Sequence, residues 1–393
     1  MPFLQALFAA AATLILAWGC HPTDAMKTIA APPGMPLPGL TSAELDRFLA
    51  GQRHFVHQFT PADGLGPLFN ETRCSNCHDL PTIGGTGAEL VTQATRFVAG
   101  SCDVLSVSGG DKIQAHATPL LVAAGISREQ VPMAATAVVA VVPPALYGLG
   151  LLDAVPDSEI LRLEAAAAQR GGAIRGRAYR MPDGRIGRIG RKAEFATVAQ
   201  FVERALLEEL GVTSPALPAE NQINGRPLPK GTDPVPDPEM SQADLDAIVD
   251  YVRLLAPPAP EEAKGAARDS IRSGEQAFTD VRCGDCHVPR LTTGETTESV
   301  RSRRTVTAYT DLLLHDLGPG MASVCAANAG PSEWRTAPLM GVRHRKMLMH
   351  DGRALSIDAA IRLHGGEAAA VRDAYERLPD ARRILLLRFV ASR

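Results

Sequence analysis

The chain has 393 residues and a formal charge of −3, with Lys and Arg scattered along it, so no basic surface for nucleic acid is indicated. The length suffices for two domains, and 35 Gly with 30 Pro point to many loops around short helices. Aromatic residues are only 5% of the total, few for a soluble core.

In chain order, Phe3 to Trp18 form an apolar stretch that is short for a membrane span and has the length of a signal-peptide core. Leu16-Ala17-Trp18-Gly19-Cys20 is similar to a lipobox, although its Leu stands one place early and no Lys or Arg precedes the apolar core. Two readings follow for residues 1–20: a lipoprotein signal that anchors the protein to a membrane through acylated Cys20, or plain secretion. His21 to Leu40, rich in Pro, Ala and Gly, reads as a tether. Thr41-Ser42-Ala43-Glu44 is a capping-box start to a helix with Leu45, Phe48 and Leu49 on one face. Gly51-Gln52-Arg53-His54-Phe55 follows on the same helix. After a long middle stretch, Ser241-Gln242-Ala243-Asp244 opens another helix, with Leu245, Ile248, Val249, Val252 and Leu255 at helical spacing. Pro257, Pro258 and Pro260 stop it, and the order then repeats. Gly274-Glu275-Gln276-Ala277-Phe278 belongs to a helix, and the chain closes with one carrying Ile384, Leu385, Leu387 and Phe389.

Each half contains the same five-residue pattern: Cys74-Ser75-Asn76-Cys77-His78 and Cys283-Gly284-Asp285-Cys286-His287. C-x-x-C-H is the attachment signature of c-type haem, in which two thiols add across the porphyrin vinyl groups and the adjacent imidazole binds the iron. With 7 Cys and 10 His in the chain, chance would supply about 0.003 copies. A zinc site could use the four thiols, but it gives no role to a His in fifth position of both copies. A redox dithiol belongs after a strand, at the opening of a βαβ helix, and neither string stands there. The sequence therefore predicts two covalent haem c groups, one on Cys74 and Cys77 with His78 on iron, the other on Cys283 and Cys286 with His287 on iron. Such haem is attached outside the bacterial inner membrane, so export to the periplasm or cell envelope follows from the same residues. Haem also supplies apolar surface that the few aromatics do not.

A helix before C-x-x-C-H and a closing helix that crosses it are how a small cytochrome c domain completes its core. The expected fold is mainly α, with two cytochrome c-like domains at 41–256 and 266–393 and a linker near Pro257 to Ala267. The stretch from about Gly100 to Pro238 is too long for a minimal domain and reads as an elaboration of the first, covering its haem.

Beyond these strings, the chain from about Thr41 onward resembles the di-haem oxidoreductases of peroxidase type, some of which carry the label thiol oxidoreductase. The resemblance rests on Gly64-Leu65-Gly66-Pro67-Leu68-Phe69-Asn70, on Pro144 to Pro156, and on Gly187-Arg188-Ile189-Gly190-Arg191-Lys192-Ala193. Arg191 stands where relatives carry an aromatic residue, so any electron route through that aromatic must differ here. The second half is also similar to the wider bacterial di-haem peroxidase group. Tyr309 to Gly318, with His315, matches its F-H-N-x-G segment, and Thr336 to Met340 with Met349-His350-Asp351-Gly352-Arg353 matches its T-P-x-L and H-D-G segments. The resemblance implies that His315 and His350 hydrogen-bond a haem propionate or its loop, or equally that they only pack in their loops. It also implies a distal ligand about fourteen residues beyond His350, usually Met, and here that position is His364. Two imidazoles on iron would set the second haem lower in potential than a His/Met pair.

No spacing assigns a distal ligand to the first haem. His54, His57, His116 and Met133 are candidates, and an open sixth position is another. Cys102 and Cys325 would form a disulfide in an oxidising compartment if the fold brings them together. The thiol oxidoreductase label gains nothing, since haem consumes the C-x-x-C thiols. The resemblance favours an enzyme in which the first haem takes a small oxidant such as peroxide and the second relays electrons from a redox partner protein. The alternative is a non-catalytic di-haem carrier with both irons closed by protein ligands.

Overall fold

Thr41 does open a helix, Ser42–Val56: its hydroxyl accepts from the Glu44 backbone N–H while Glu44 accepts the Thr41 N–H at 2.7 Å. The computed structural model describes residues 29–393, so the expected signal sequence, Cys20 and the start of the expected tether lie outside the described residues. Of the described residues, 35% are helix and 14% strand, which makes the fold mainly α as expected. No helix among the described residues is long and apolar enough to cross a membrane.

The Ser42–Val56 helix buries Phe48, Gly51 and Phe55, while Leu45 and Leu49 are exposed. The i, i+3, i+7 row through 48, 51 and 55 points inward, and Leu45 and Leu49 fall to its side. Phe48 and Phe55 both pack on Tyr251 of the Gln242–Leu254 helix, with ring centroids 5.0 and 4.9 Å apart. That helix has its predicted Ser241 cap and buries every apolar residue assigned to it. Gly51 makes the crossing close: a Cβ there would lie 2.7 Å from the Cβ of Tyr251.

The second half repeats this joint. The Gly265–Asp280 helix crosses the Asp380–Val390 helix at Gly274, where a Cβ would lie 2.7 Å from that of Phe389. Four residues on, Phe278 packs edge-on against Phe389 at 5.3 Å. The closing helix buries Leu386, Phe389 and Val390, and Ile384 faces solvent. Ile384 to Leu387 is an unbroken apolar run without period, so spacing could not choose the buried face.

The middle stretch is not helical throughout. Val91–Val98 is the centre of a four-stranded antiparallel sheet, paired along Ala137–Val141 and flanked by Ser101–Asp103 and Lys112–Ile113. Cys102 of this sheet is disulfide-bonded to Cys325, fastening the elaboration to the second half across 223 residues of sequence. The elaboration also reaches the second string: Val142, Pro143 and Pro144 line the cavity beside Cys283 and Cys286. Residues 29–40 do not hang free as a tether. Ile29 and Leu37 are buried, and Leu37 N–H donates to the Leu254 carbonyl at 2.8 Å.

Candidate functional site

The second string lies just after its Gly-x-x-x-Phe helix and the first after a loop from its own, and in both the Phe packs near the motif histidine: Phe55 to His78 at 6.2 Å, Phe278 to His287 at 6.4 Å between ring centroids. In both, Nδ1 is anchored on a backbone carbonyl, His78 on Gly85 at 3.1 Å and His287 on Tyr309 at 3.0 Å. That contact orients the ring and leaves Nε2 for a metal. Burial pulls each imidazole down to about 4, so both are neutral and carry the lone pair that ligation needs. Cys74, Cys77, Cys283 and Cys286 are free, half-buried thiols. Burial pushes Cys74, Cys77 and Cys283 up to about 12. They are therefore protonated thiols at neutral pH.

Opposite His287 stands His364, just past the Ile357–Arg362 helix, with Nδ1 on the Ala360 carbonyl at 2.8 Å. The two ring centroids are 6.4 Å apart. Two metal–nitrogen bonds of about 2 Å, plus about 1.1 Å from each nitrogen to its ring centre, give roughly 6.2 Å. The pair thus has the separation of two imidazoles on one iron. Both line a cavity of about 280 Å³ with Leu348, Ile361 and Leu386 among its walls. The residues present fit a haem.

His315 is buried on the Leu314–Asp316 strand, with Nε2 to Asp311 at 2.9 Å, Nδ1 to Glu367 at 2.8 Å and the Cys286 sulfur 3.6 Å away. Burial opposes its charge, but the hydrogen bonds the ring donates to Asp311 and Glu367, with Cys286 beside it, outweigh burial and hold it protonated well above its ordinary range. Both nitrogens are committed, so His315 meets the site through Cys286. His350 is 4% exposed and stacks on Trp334 at 4.0 Å, and neither of its nitrogens has a hydrogen-bond partner. Lys192 lies over the same Trp334 ring at 3.4 Å and donates to the carbonyls of Gly330, Pro331 and Glu333.

The first string is surrounded differently. Among the described residues no histidine ring faces His78 as His364 faces His287. His54 pairs with Asp244 at 3.2 Å, His57 lies 3.7 Å from Asp63, and His116 is exposed beside Phe69. Met133 is fully exposed, which removes it as a ligand candidate. Nearby lies a buried acidic group that sequence reading missed. Asn70 donates to Glu209 at 2.8 Å, and Glu209 acts electrostatically on the Cys77 thiol. Glu208 pairs with Arg204 at 2.6 Å, yet burial, with Asp111 nearby, pushes its carboxyl up to about 7. Gln114 links Glu208 to Glu129: its amide donates to the Glu208 carbonyl at 3.2 Å, and its backbone N–H donates to Glu129 at 2.9 Å. Burial pushes Glu129 to about 7 as well. In sequence, Glu208 and Glu209 look like the polar face of an amphipathic helix. Only the π-helical turn over Leu206–Leu210 rotates them inward.

A family model described as "Di-haem oxidoreductase, putative peroxidase" matches residues 122–393, which include the second string. No curated protein matches the chain. Among solved structures it is similar to hydrazine synthase of Kuenenia stuttgartiensis, at 13% identity and a TM-score of 0.45 over 100% of both chains. A variant of a di-haem peroxidase from Burkholderia thailandensis aligns at 16% identity and a TM-score of 0.32, over 92% of this chain and 89% of that one.

Proposed function

Since this chain belongs to the di-haem oxidoreductase family, we propose that it is an exported two-haem c oxidoreductase with a reactive first site and an electron-relaying second site. Cys74 and Cys77 hold one haem by thioether bonds, Cys283 and Cys286 the other. His78 and His287 are the proximal ligands and His364 closes the second iron. The two crossed-helix joints, around Gly51 and around Gly274, are the cores of two cytochrome c-like domains, 41–256 and 266–393. Residues 1–20 direct the chain to the periplasm or cell envelope, with Cys20 as the point of lipid attachment if the signal is of the lipoprotein kind.

The observation that carries this reading is the difference between two otherwise matched histidines. His287 has His364 at 6.4 Å, whereas among the described residues His78 has no facing imidazole, and carboxyls lie near its cysteines instead. Haem at these sites supplies iron that exchanges electrons and, where a coordination position is open, binds a small oxidant such as peroxide. The protein's own part is to keep His78 and His287 neutral and oriented through Gly85 and Tyr309. Beside Glu209, which acts on the Cys77 thiol, burial holds Glu208 and Glu129 near their midpoints at neutral pH, which suits groups that take and return protons. Gln114 joins them through its amide and backbone. Electrons from a redox partner protein enter through the second site, which two imidazoles protect from substrate.

Optical and EPR spectra of the purified protein test this. The expected result is one high-spin and one low-spin haem, with cyanide or peroxide perturbing only the high-spin one, after prior reduction of the second haem if the first must be opened. Two low-spin haems in every redox state, neither binding cyanide, would establish the carrier reading instead.

A further inference from the structure

Five arginines line the cavity beside the second string, Arg191, Arg282, Arg335, Arg345 and Arg372, and no Asp or Glu does. Arg282 and Arg372 are paired with their neighbours Asp285 and Asp373, each at 2.7 Å. The other three have no ion pair among the described residues. Arg191 donates to the Val142 carbonyl, and Arg335 donates through Nε to the Gly190 carbonyl at 2.7 Å. Arg345 has a buried Nε without a partner. The acids within electrostatic reach are committed elsewhere. Asp351 pairs with Arg353 at 2.5 Å, Asp311 with His315 at 2.9 Å, and Glu194 accepts the Lys192 backbone N–H at 2.9 Å. His350 adds two ring nitrogens without a hydrogen bond to the same wall, with Asp351 3.8 Å from its Nε2.

Unpaired cations in a protein interior are strongly unfavourable unless an anion meets them. Burial and mutual repulsion already pull Arg191 down to about 10. The cavity that asks for an anion is also the one that Cys283, His287 and His364 line. Haem brings two carboxylates of its own, and guanidinium forks match carboxylates in geometry as well as charge.

We propose that Arg191, Arg335 and Arg345, together with His350, form a carboxylate cradle that receives the propionates of the second haem. The proposal rests on the two-haem reading. Three cations against two carboxylates leave a positive surplus, which favours the ferrous state. The cradle thereby offsets the lowering of potential that a second imidazole ligand brings, and keeps the second haem able to accept electrons. It also gives Arg191 a task at the position where relatives carry an aromatic residue.

The test uses full-length protein matured in a host competent in cytochrome c assembly, with haem counted first. A wild type lacking the second haem refutes the two-haem reading and the cradle with it. With two haems present, the cradle alone is at stake. Arg345→Gln and Arg335→Gln should each retain both haems and lower the second-haem reduction equilibrium about tenfold, a shift of about 59 mV for one electron. Their propionate bending bands should move in resonance Raman spectra. Arg345→Lys, which keeps the charge, should recover most of the potential. Unchanged potential and bands in both Gln variants overturn the proposal. Because the Arg345 side chain leaves no protein group unpaired, that variant decides the matter even if Arg335→Gln fails to mature. Acetate and phosphate should leave the wild-type spectrum unmoved. A saturable response to either, with potentials unaltered in the variants, would mean that the cradle serves a free anion and would also overturn the proposal.

Discussion

Gly274→Ala probes the joint that places His287. The added Cβ would overlap the carbonyl oxygen of Leu385 and stand 2.7 Å from both the Leu385 carbon and the Phe389 Cβ. Ordinary contact starts at 3.4 Å, so the two helices must part by at least about 0.7 Å, and backbone atoms cannot swing aside. Alanine in a helix interior gains about 1 kcal/mol over glycine. Forced overpacking costs about 1–3 kcal/mol, and here separation also loosens Phe278 from Phe389 and from His287. A net loss of about 1–2 kcal/mol is expected, seen as a Tm several degrees lower by calorimetry or circular dichroism. Gly51→Ala should behave alike, because its Cβ would lie 2.7 Å from the Ala247 carbon and the Tyr251 Cβ. Gly320→Ala, with nothing within 4 Å of the new atom, is the control. A Gly274→Ala protein as stable as wild type would refute the close crossing.

Three further outcomes are expected. His364→Ala should turn the low-spin haem high-spin, and His364→Met should raise its potential, both read by spectroelectrochemistry; an unchanged spectrum in the Ala variant removes His364 from the iron. Replacing Cys102 and Cys325 by Ser should cost about 2–4 kcal/mol in denaturant unfolding, because the bond closes a loop of 223 residues. Glu129 has its folded-state value raised to about 7 from 4.5, so its contribution to stability is present below about pH 4.5 and is lost as pH rises through 7. Glu129→Gln should flatten that decline by up to about 1.4 kcal/mol per pH unit, with no change if the carboxyl is solvated after all.

What the sequence showed clearly is what depends on short range. The Thr41 and Ser241 caps each lie within one turn of helix, and the structure builds them as read. Leu45, Leu49 and Ile384 were misplaced because apolar residues crowd more than one face, and a partner helix rather than a period decides which is buried. The sheet around Val91–Val98 was missed because its strands pair across loops and the burial along Val91–Val98 does not alternate. The pairing of Cys102 with Cys325 could be asked but not answered, since no local pattern spans two halves of a chain. Glu208, Glu129 and the three arginines were invisible for a deeper reason. A charged residue in sequence reads as surface, and only tertiary structure shows that its carboxylate or guanidinium has been enclosed.

The asymmetry of the two sites follows from what the second half adds to a shared joint. Both halves orient the motif histidine by the same device, a phenylalanine beneath and a carbonyl on Nδ1. After that the halves diverge. In the second, the segment from His350 to His364 folds back so that an imidazole closes the free face of His287. In the first, the returning Leu206–Leu210 turn brings acids rather than a ligand. A repeated scaffold therefore holds two histidines alike, and the halves differ in what the chain delivers around them: a second imidazole beside His287, and carboxyls near the thiols of the first string.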